Sequence, residues 1–218
     1  LLEPRLKAKE FDVVFLYSVF INGTNTVRLC KKYDVPVIYR LLDIYHKLRG
    51  DLKIMIPLYF GEKFIYKNAD YVCLTNEVMS KYVEKMAGKR MDKQLRVLHH
   101  GVDTDFFQPV KKNSLLLDKF NFSIDDKIIV FVGTIYTFSG LDVLLKAFPD
   151  LKKQIPRLKF IIVGGGDLEP ELKNLVNNLF LEKEVILTGF RSYEEVPNLI
   201  SCADVTVLPF FINDVTRD

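Results

Sequence analysis

The chain has 218 residues, 49% hydrophobic and 27% charged, with a formal net charge of +3. That composition excludes a disordered chain and allows one large core or two small ones. No apolar run approaches the roughly 20 residues that span a bilayer. Charge is uneven: residues 1–100 hold 18 Lys and Arg against 11 Asp and Glu, and residues 101–218 hold 13 against 17. Two units with different partners would explain the reversal, and so would chance. Cys30, Cys73 and Cys202 are far apart in apolar settings, which reads as reduced, buried thiols of a cytoplasmic protein. The opening "LLEPRLKAKEF" lacks Met, so the chain reads as a fragment.

In chain order, "DVVFLYSV" (12–19) is an apolar run suited to a buried parallel strand. A helix follows, ending near Tyr33, and then a strand at 35–42. Residues 51–68 form an apolar, Lys-bearing helix that Pro57 and Gly61 kink or split. After a strand at 71–75, Asn76 caps and Gly88 stops a helix with Met79, Tyr82, Val83 and Met86 at helical spacing. A strand at 95–99 closes the first half. The second half runs strand (128–133), helix (140–154, bent at Pro149), strand (158–166) and helix (167–179, Pro170 in its first turn). It continues with a strand (184–190), a short irregular helix that Ser192 and Glu195 open as a capping box, and a strand (203–210). This alternation predicts an α/β fold of two Rossmann-like units, each with a doubly wound parallel sheet. The expected division is 1–100, a crossover at 101–110, and 111–218.

Between the units lies "HHGVDTDFFQP" (99–109), which in isolation suggests a metal site. His99 and His100 alternate faces at a strand end, so their convergence on one ion is disfavoured. The preferred reading is a hinge built on His100, Gly101 and Asp103. Gly101 permits an unusual turn, Val102 and Phe106 or Phe107 pack, and Pro109 ends it. No metal is expected.

Five strings stand in register: "ADYVCLTNEVMSKYV", "LRVLHHGVDTDFFQP", "IIVFVG…SGLDVLLKAF", "KFIIVGGGDLEPEL" and "VILTGFRSYEEVPNLISCADVTVLP". In this order the chain resembles glycosyltransferase family four, retaining enzymes of the GT-B fold. The resemblance implies two Rossmann-like domains facing across a cleft, both incomplete here. Residues 1–100 would be the C-terminal part of the acceptor-side domain, and 111–218 the N-terminal part of the donor-nucleotide domain.

The implied function is transfer of a sugar, with retention, from a nucleotide-sugar donor (a UDP- or GDP-sugar) to a glycan or lipid-linked acceptor. The full-length protein would be a retaining hexosyltransferase without a cofactor, and this fragment alone would be inactive. A non-catalytic paralogue that binds a nucleotide sugar or a protein partner is an alternative. A nucleotide-sugar epimerase of the same fold is another.

The resemblance also assigns site residues. Asp43 matches the family's acceptor-side carboxylate, while Leu42 stands where many members have His; His46 lies nearby. Asp218, or Asp214, falls near the first of two donor-side carboxylates. The donor loop is "VGTIYTFSG", where Gly133 and Gly140 match but Thr134 and Ser139 replace the usual Arg and Lys. Hydroxyls, backbone N–H groups and the following helix N-terminus are then left to bind phosphate. Gly164 and Gly165 fall near the donor cleft or simply make a tight turn. Phe190 and Arg191 belong to the loop that meets the nucleobase, although Arg191 also reads as a solvated surface residue. The 51–68 segment, with Lys53, Lys63 and Lys67, offers either peripheral contact with the inner face of the membrane or ordinary core packing. A nucleic-acid partner is not expected.

Overall fold

Every strand pairs parallel to its neighbour, in two separate four-stranded sheets. The computed structural model describes residues 1–212 except 18, 20 and 48–50, so Asp214 and Asp218 lie outside the described residues. The chain divides into two compact units, one ending at Gly101 and the other beginning at Val102.

In the first unit, β1 (Val14–Leu16), β2 (Val37–Arg40), β3 (Tyr71–Leu74) and β4 (Leu95–Val97) lie in sequence order. Right-handed crossovers that all step the same way put their helices on one face. Accordingly α2 (Ile21–Lys32), α3 (Leu52–Asn68) and α4 (Met79–Ala87) share a single core. Val27, Cys30, Leu58, Ile65, Tyr66 and Val83 meet Val37, Tyr39, Val72 and Leu74 there. The short α1 (Leu2–Lys7) adds Leu6 to the same core. Phe15 and Tyr71 remain exposed.

The second unit is wound both ways. The strands β5 (Lys127–Val132), β6 (Leu158–Val163), β7 (Val185–Gly189) and β8 (Val205–Thr206) take the order β7-β6-β5-β8. One core joins α6 (Leu141–Gln154) and α7 (Glu169–Asn178) to the sheet through Phe148, Phe160, Ile162 and Leu172. A second core joins α5 (Ser114–Asp118) and α8 (Val196–Ser201) through Leu117, Val130, Ile161 and Leu199.

Several elements differ from their sequence expectation. The strand expected at 12–19 keeps three residues, and that at 203–210 keeps two. β4 ends at Val97, so His99 and His100 lie in exposed coil rather than on a strand. α3 runs unbroken through Pro57, which sits on its exposed side, where water can satisfy the carbonyl that proline cannot bond. Asn76 does cap α4, accepting the Met79 N–H at 3.1 Å, and Gly88 ends that helix with a φ of 68°. The Ser192–Glu195 pair makes half of its box: the Ser192 N–H donates to the Glu195 carboxylate at 3.1 Å. All three cysteines are free and buried.

Candidate functional site

Strand order in the second unit reverses at β5: the chain steps outward to β6 and β7, then returns to lay β8 on the other side of β5. In open α/β sheets a ligand crevice forms at the carboxyl ends of the strands where the order reverses. Here that point is bounded by the loop 133–140 after β5 and the segment 207–212 after β8.

The two segments are packed together. The Phe211 N–H donates to the Phe138 carbonyl at 3.0 Å, and the Phe138 ring meets Phe210 edge-on with centroids 5.6 Å apart. A Cβ on Gly140 would stand 1.9 Å from the Pro209 carbonyl oxygen, and its φ of 66° is one that L side chains rarely adopt. Thr134 is exposed. Ser139 is fully buried, and its Oγ has no hydrogen-bond partner. Neither "LPF" nor the aromatics of "TIYTF" stood out in the sequence as site-forming, because the segment after β8 reads there as continuing strand.

The glycine loop after β6 joins this edge. Gly164 donates to the Gly189 carbonyl at 2.9 Å, and a Cβ on it would stand 2.0 Å from the Gly133 carbonyl oxygen. Backbone packing therefore requires glycine at 164, with or without a ligand. Gly165 differs: a Cβ there would meet the Phe190 ring at 2.7 Å and a Glu169 carboxylate oxygen at 2.9 Å. Phe190 itself is 76% exposed. Gly133, Gly164, Gly165 and Phe190 thus converge on one sheet edge. Arg191 does not join that contact. It lines a groove of about 530 Å³ between α5 and α8, beside Lys119 and Asn198, 3.6 Å from the Glu195 carboxylate.

The carboxylates near this edge are paired. Asp142 and Glu169 each hold a lysine of their own helix, Lys146 at 2.9 Å and Lys173 at 2.7 Å. The positive element at the loop is the N-terminus of α6, which has no side-chain cap. Its free N–H groups and dipole are suited to a phosphate.

In the first unit, Asp43 is exposed in the segment that follows β2. His46 is directed elsewhere: its Nδ1 lies 2.5 Å from a carboxylate oxygen of the fully buried Glu62, and its Nε2 lies 3.5 Å from the Tyr82 hydroxyl. Glu62 is missed by sequence reasoning because a Glu amid lysines reads as surface.

The stretch 101–109 has a local structural role. One Asp103 carboxylate oxygen accepts the N–H groups of Asp105 and Phe106, both at 3.0 Å. Phe106 stacks on Tyr193 at 4.9 Å, and Phe107 meets the same ring edge-on at 5.3 Å. Val102 is 64% exposed, so the packing expected of it falls to the phenylalanines. Gly101 does not adopt a positive φ. Among the described residues no three His, Cys, Asp or Glu side chains gather as a metal site, and no helix is long and apolar enough to cross a membrane.

Residues 115–211 match the family of glycosyl transferases group 1. Over 208 residues the chain is 23% identical to the uncharacterized glycosyltransferase MJ1069 of Methanocaldococcus jannaschii, covering 91% of this chain and 51% of that protein. It is 24% identical over 228 residues to the alpha-monoglucosyldiacylglycerol synthase of Acholeplasma laidlawii, covering 98% and 55%. Anabaena Alr3699/HepE, solved in complex with UDP, superposes with a TM-score of 0.71 at 18% identity, covering 96% of this chain and 56% of that one. The chain spans about half the length of these relatives.

Proposed function

We propose, for this group-1-type glycosyltransferase of GT-B fold, that the whole protein moves a hexosyl group, with retention, from a nucleotide-sugar donor to a glycan or lipid-linked acceptor. The observation that carries the reading is the reversal of strand order at β5, which sets the uncapped N-terminus of α6 at the carboxyl edge of the sheet. The donor diphosphate lies against that N-terminus and the backbone of Gly133, Thr134 and Gly140. The enclosed Ser139 Oγ becomes a partner for phosphate or for an ordered water once the loop is occupied. The nucleobase stacks on Phe190 over Gly165. UDP in the Anabaena structure supports a uridine donor, and a guanosine donor stacks equally well.

Residues 1–100 act on the acceptor side and present Asp43, while 101–110 link the two units and Asp218 belongs to the donor side. The protein is cytoplasmic and rests peripherally on the inner face of the membrane. α3 supports this: Leu52, Ile56 and Phe60 are exposed together with Lys53, Lys63 and Lys67, and the one carboxylate of the helix, Glu62, is buried. Apolar contact combined with unopposed positive charge suits an anionic lipid surface.

A second reading is a paralogue that binds the nucleotide sugar without transferring it. The absence of a cation on the loop 133–140, with Asp142 and Glu169 close by, favours it. Thermal shift of the full-length protein with UDP-, GDP- and dTDP-sugars tests the donor, and radiolabelled sugar transfer separates the two readings. If none of these donors raises the melting temperature, both fail.

A further inference from the structure

Glu62 occupies a core position of α3, in line with Leu58, Ile65 and Tyr66, and is fully buried. An isolated carboxylate there would be costly, so its partners carry weight. They come from one short segment. The His46 backbone N–H donates to one carboxylate oxygen at 3.3 Å, and His46 Nδ1 lies 2.5 Å from the other. The imidazole is wedged between Tyr59, edge-on at 5.3 Å, and Tyr82, stacked at 6.3 Å. Asp43, three residues before His46, is exposed on the same segment.

We infer that His46 and Glu62 are a positioning pair: their contact fixes the segment after β2 that presents Asp43, and the hold depends on the protons the two side chains share. The inference rests on the acceptor-side reading of Asp43 for its consequence in catalysis, but the hold itself is independent of that reading.

The surroundings make the pair sensitive to protonation. Burial raises the Glu62 carboxyl above its ordinary 4.5, although the bonds and charge from His46 oppose this. The facing groups are nearly all phenols: Tyr39 and Tyr45 from β2 and its following segment, Tyr59 and Tyr66 from α3, and Tyr82 from α4. Lys47 Nζ lies 5.2 Å over the Tyr82 ring, and Asp43 is the other charge that acts on Tyr39 and Tyr45. The Tyr39 and Tyr66 hydroxyls are enclosed without partners. Among the described residues no second carboxylate contacts His46. When the pair changes protonation, the segment loses or gains a polar tie to α3, while Ile44 stays in the apolar core.

Two variants separate positioning from bulk stability. Glu62→Gln keeps an acceptor for the imidazole but removes the charge, and His46→Phe keeps an aromatic ring and the backbone N–H but removes the side-chain part of the tie. Amide exchange of residues 43–47 is followed between about pH 5 and 8. Wild type is expected to show protection that changes with pH beyond the intrinsic exchange rate. Glu62→Gln should keep the protection and flatten that dependence, and His46→Phe should lose about tenfold in protection throughout. Exchange in His46→Phe equal to wild type, or a Glu62→Gln profile that tracks wild type across the range, overturns the pair. In the full-length protein the pH profile of kcat should shift in Glu62→Gln. If Asp43→Asn leaves transfer intact, the acceptor-side reading fails while the exchange experiment still decides the pair.

Discussion

Gly140 and Pro209 are in backbone contact: a methyl group on the first would overlap the carbonyl oxygen of the second at 1.9 Å. The contact joins the loop after β5 to the segment after β8, the two walls of the switch point. Gly140→Ala must accept a left-handed φ, which costs roughly 1–2 kcal/mol for a residue with a Cβ. It must also push the 209 backbone away. A total loss of about 2–4 kcal/mol is expected in urea unfolding of the chain. A loss within error of zero would show that the walls separate freely.

Phe190 and Arg191 are adjacent in sequence but diverge in space. The ring lies over Gly165 at the strand edge, and the guanidinium lines the groove between α5 and α8. Stacking of a base on an aromatic ring contributes roughly 1–3 kcal/mol. Phe190→Ala should therefore weaken donor binding by about tenfold or more in calorimetry, while Arg191→Ala should change it by less than about threefold. The reverse order would move the base to the α5–α8 groove.

Asp204 ties the start of β8 to the rest of its sheet. One carboxylate oxygen accepts the Ile128 N–H at 2.8 Å and meets Lys112 Nζ at 2.6 Å, and Lys127 lies 3.6 Å from the other. Desolvation pushes this carboxyl up, but the bonds and charges from Lys112, Ile128 and Lys127 outweigh it and hold the group below its ordinary 3.8. A carboxyl depressed in the folded state stabilises fully above its unfolded value and loses that contribution as pH falls through the folded one. Asp204→Asn should thus be less stable than wild type at neutral pH, with the gap closing below about pH 3.8. A gap independent of pH would assign the effect to geometry rather than charge.

The alternation of elements was legible because buried parallel strands must be apolar runs and their crossover helices must show a 3.6-residue period. "IIVFVG" and "GLDVLLKAF" carry both signals cleanly. The ends of strands were not legible. β8 continues apolar through Leu208 and Phe210, yet the chain leaves the sheet to pack on Phe138, a partner that no local pattern specifies. Within the site, the glycines were visible as residues, but not which contact required them. Gly164 answers to Gly133, and Gly165 to Phe190. Glu62 was hidden by its chemistry, since the periodicity that buries Leu58 and Ile65 also buries position 62, and a charged residue there reads as exposed. Its partner His46 stands 16 residues earlier, at a separation no spacing rule covers. Tyr193 was likewise unconnected to Phe106 and Phe107 until the fold brought "RSYEE" under "DTDFF".

The exposed face of α3 gives the last prediction. Leu52, Ile56 and Phe60 follow one another at intervals of four, and Lys63 and Lys67 fall on the same side of the helix. Exposed apolar side chains bind a lipid interface by area, and each nearby lysine adds about 1 kcal/mol of attraction to an anionic leaflet at low salt. The chain should sediment with vesicles containing phosphatidylglycerol and not with neutral phosphatidylcholine vesicles. Replacing Lys53, Lys63 and Lys67 by Gln removes the electrostatic part and with it the salt dependence. Ile56→Asp with Phe60→Asp removes the apolar part and reverses the local charge, so it should abolish binding at every salt concentration. Because all five side chains are exposed, none of these changes should lower the melting temperature by more than a few degrees. If the aspartate variant binds anionic vesicles as wild type does, α3 is not the contact surface.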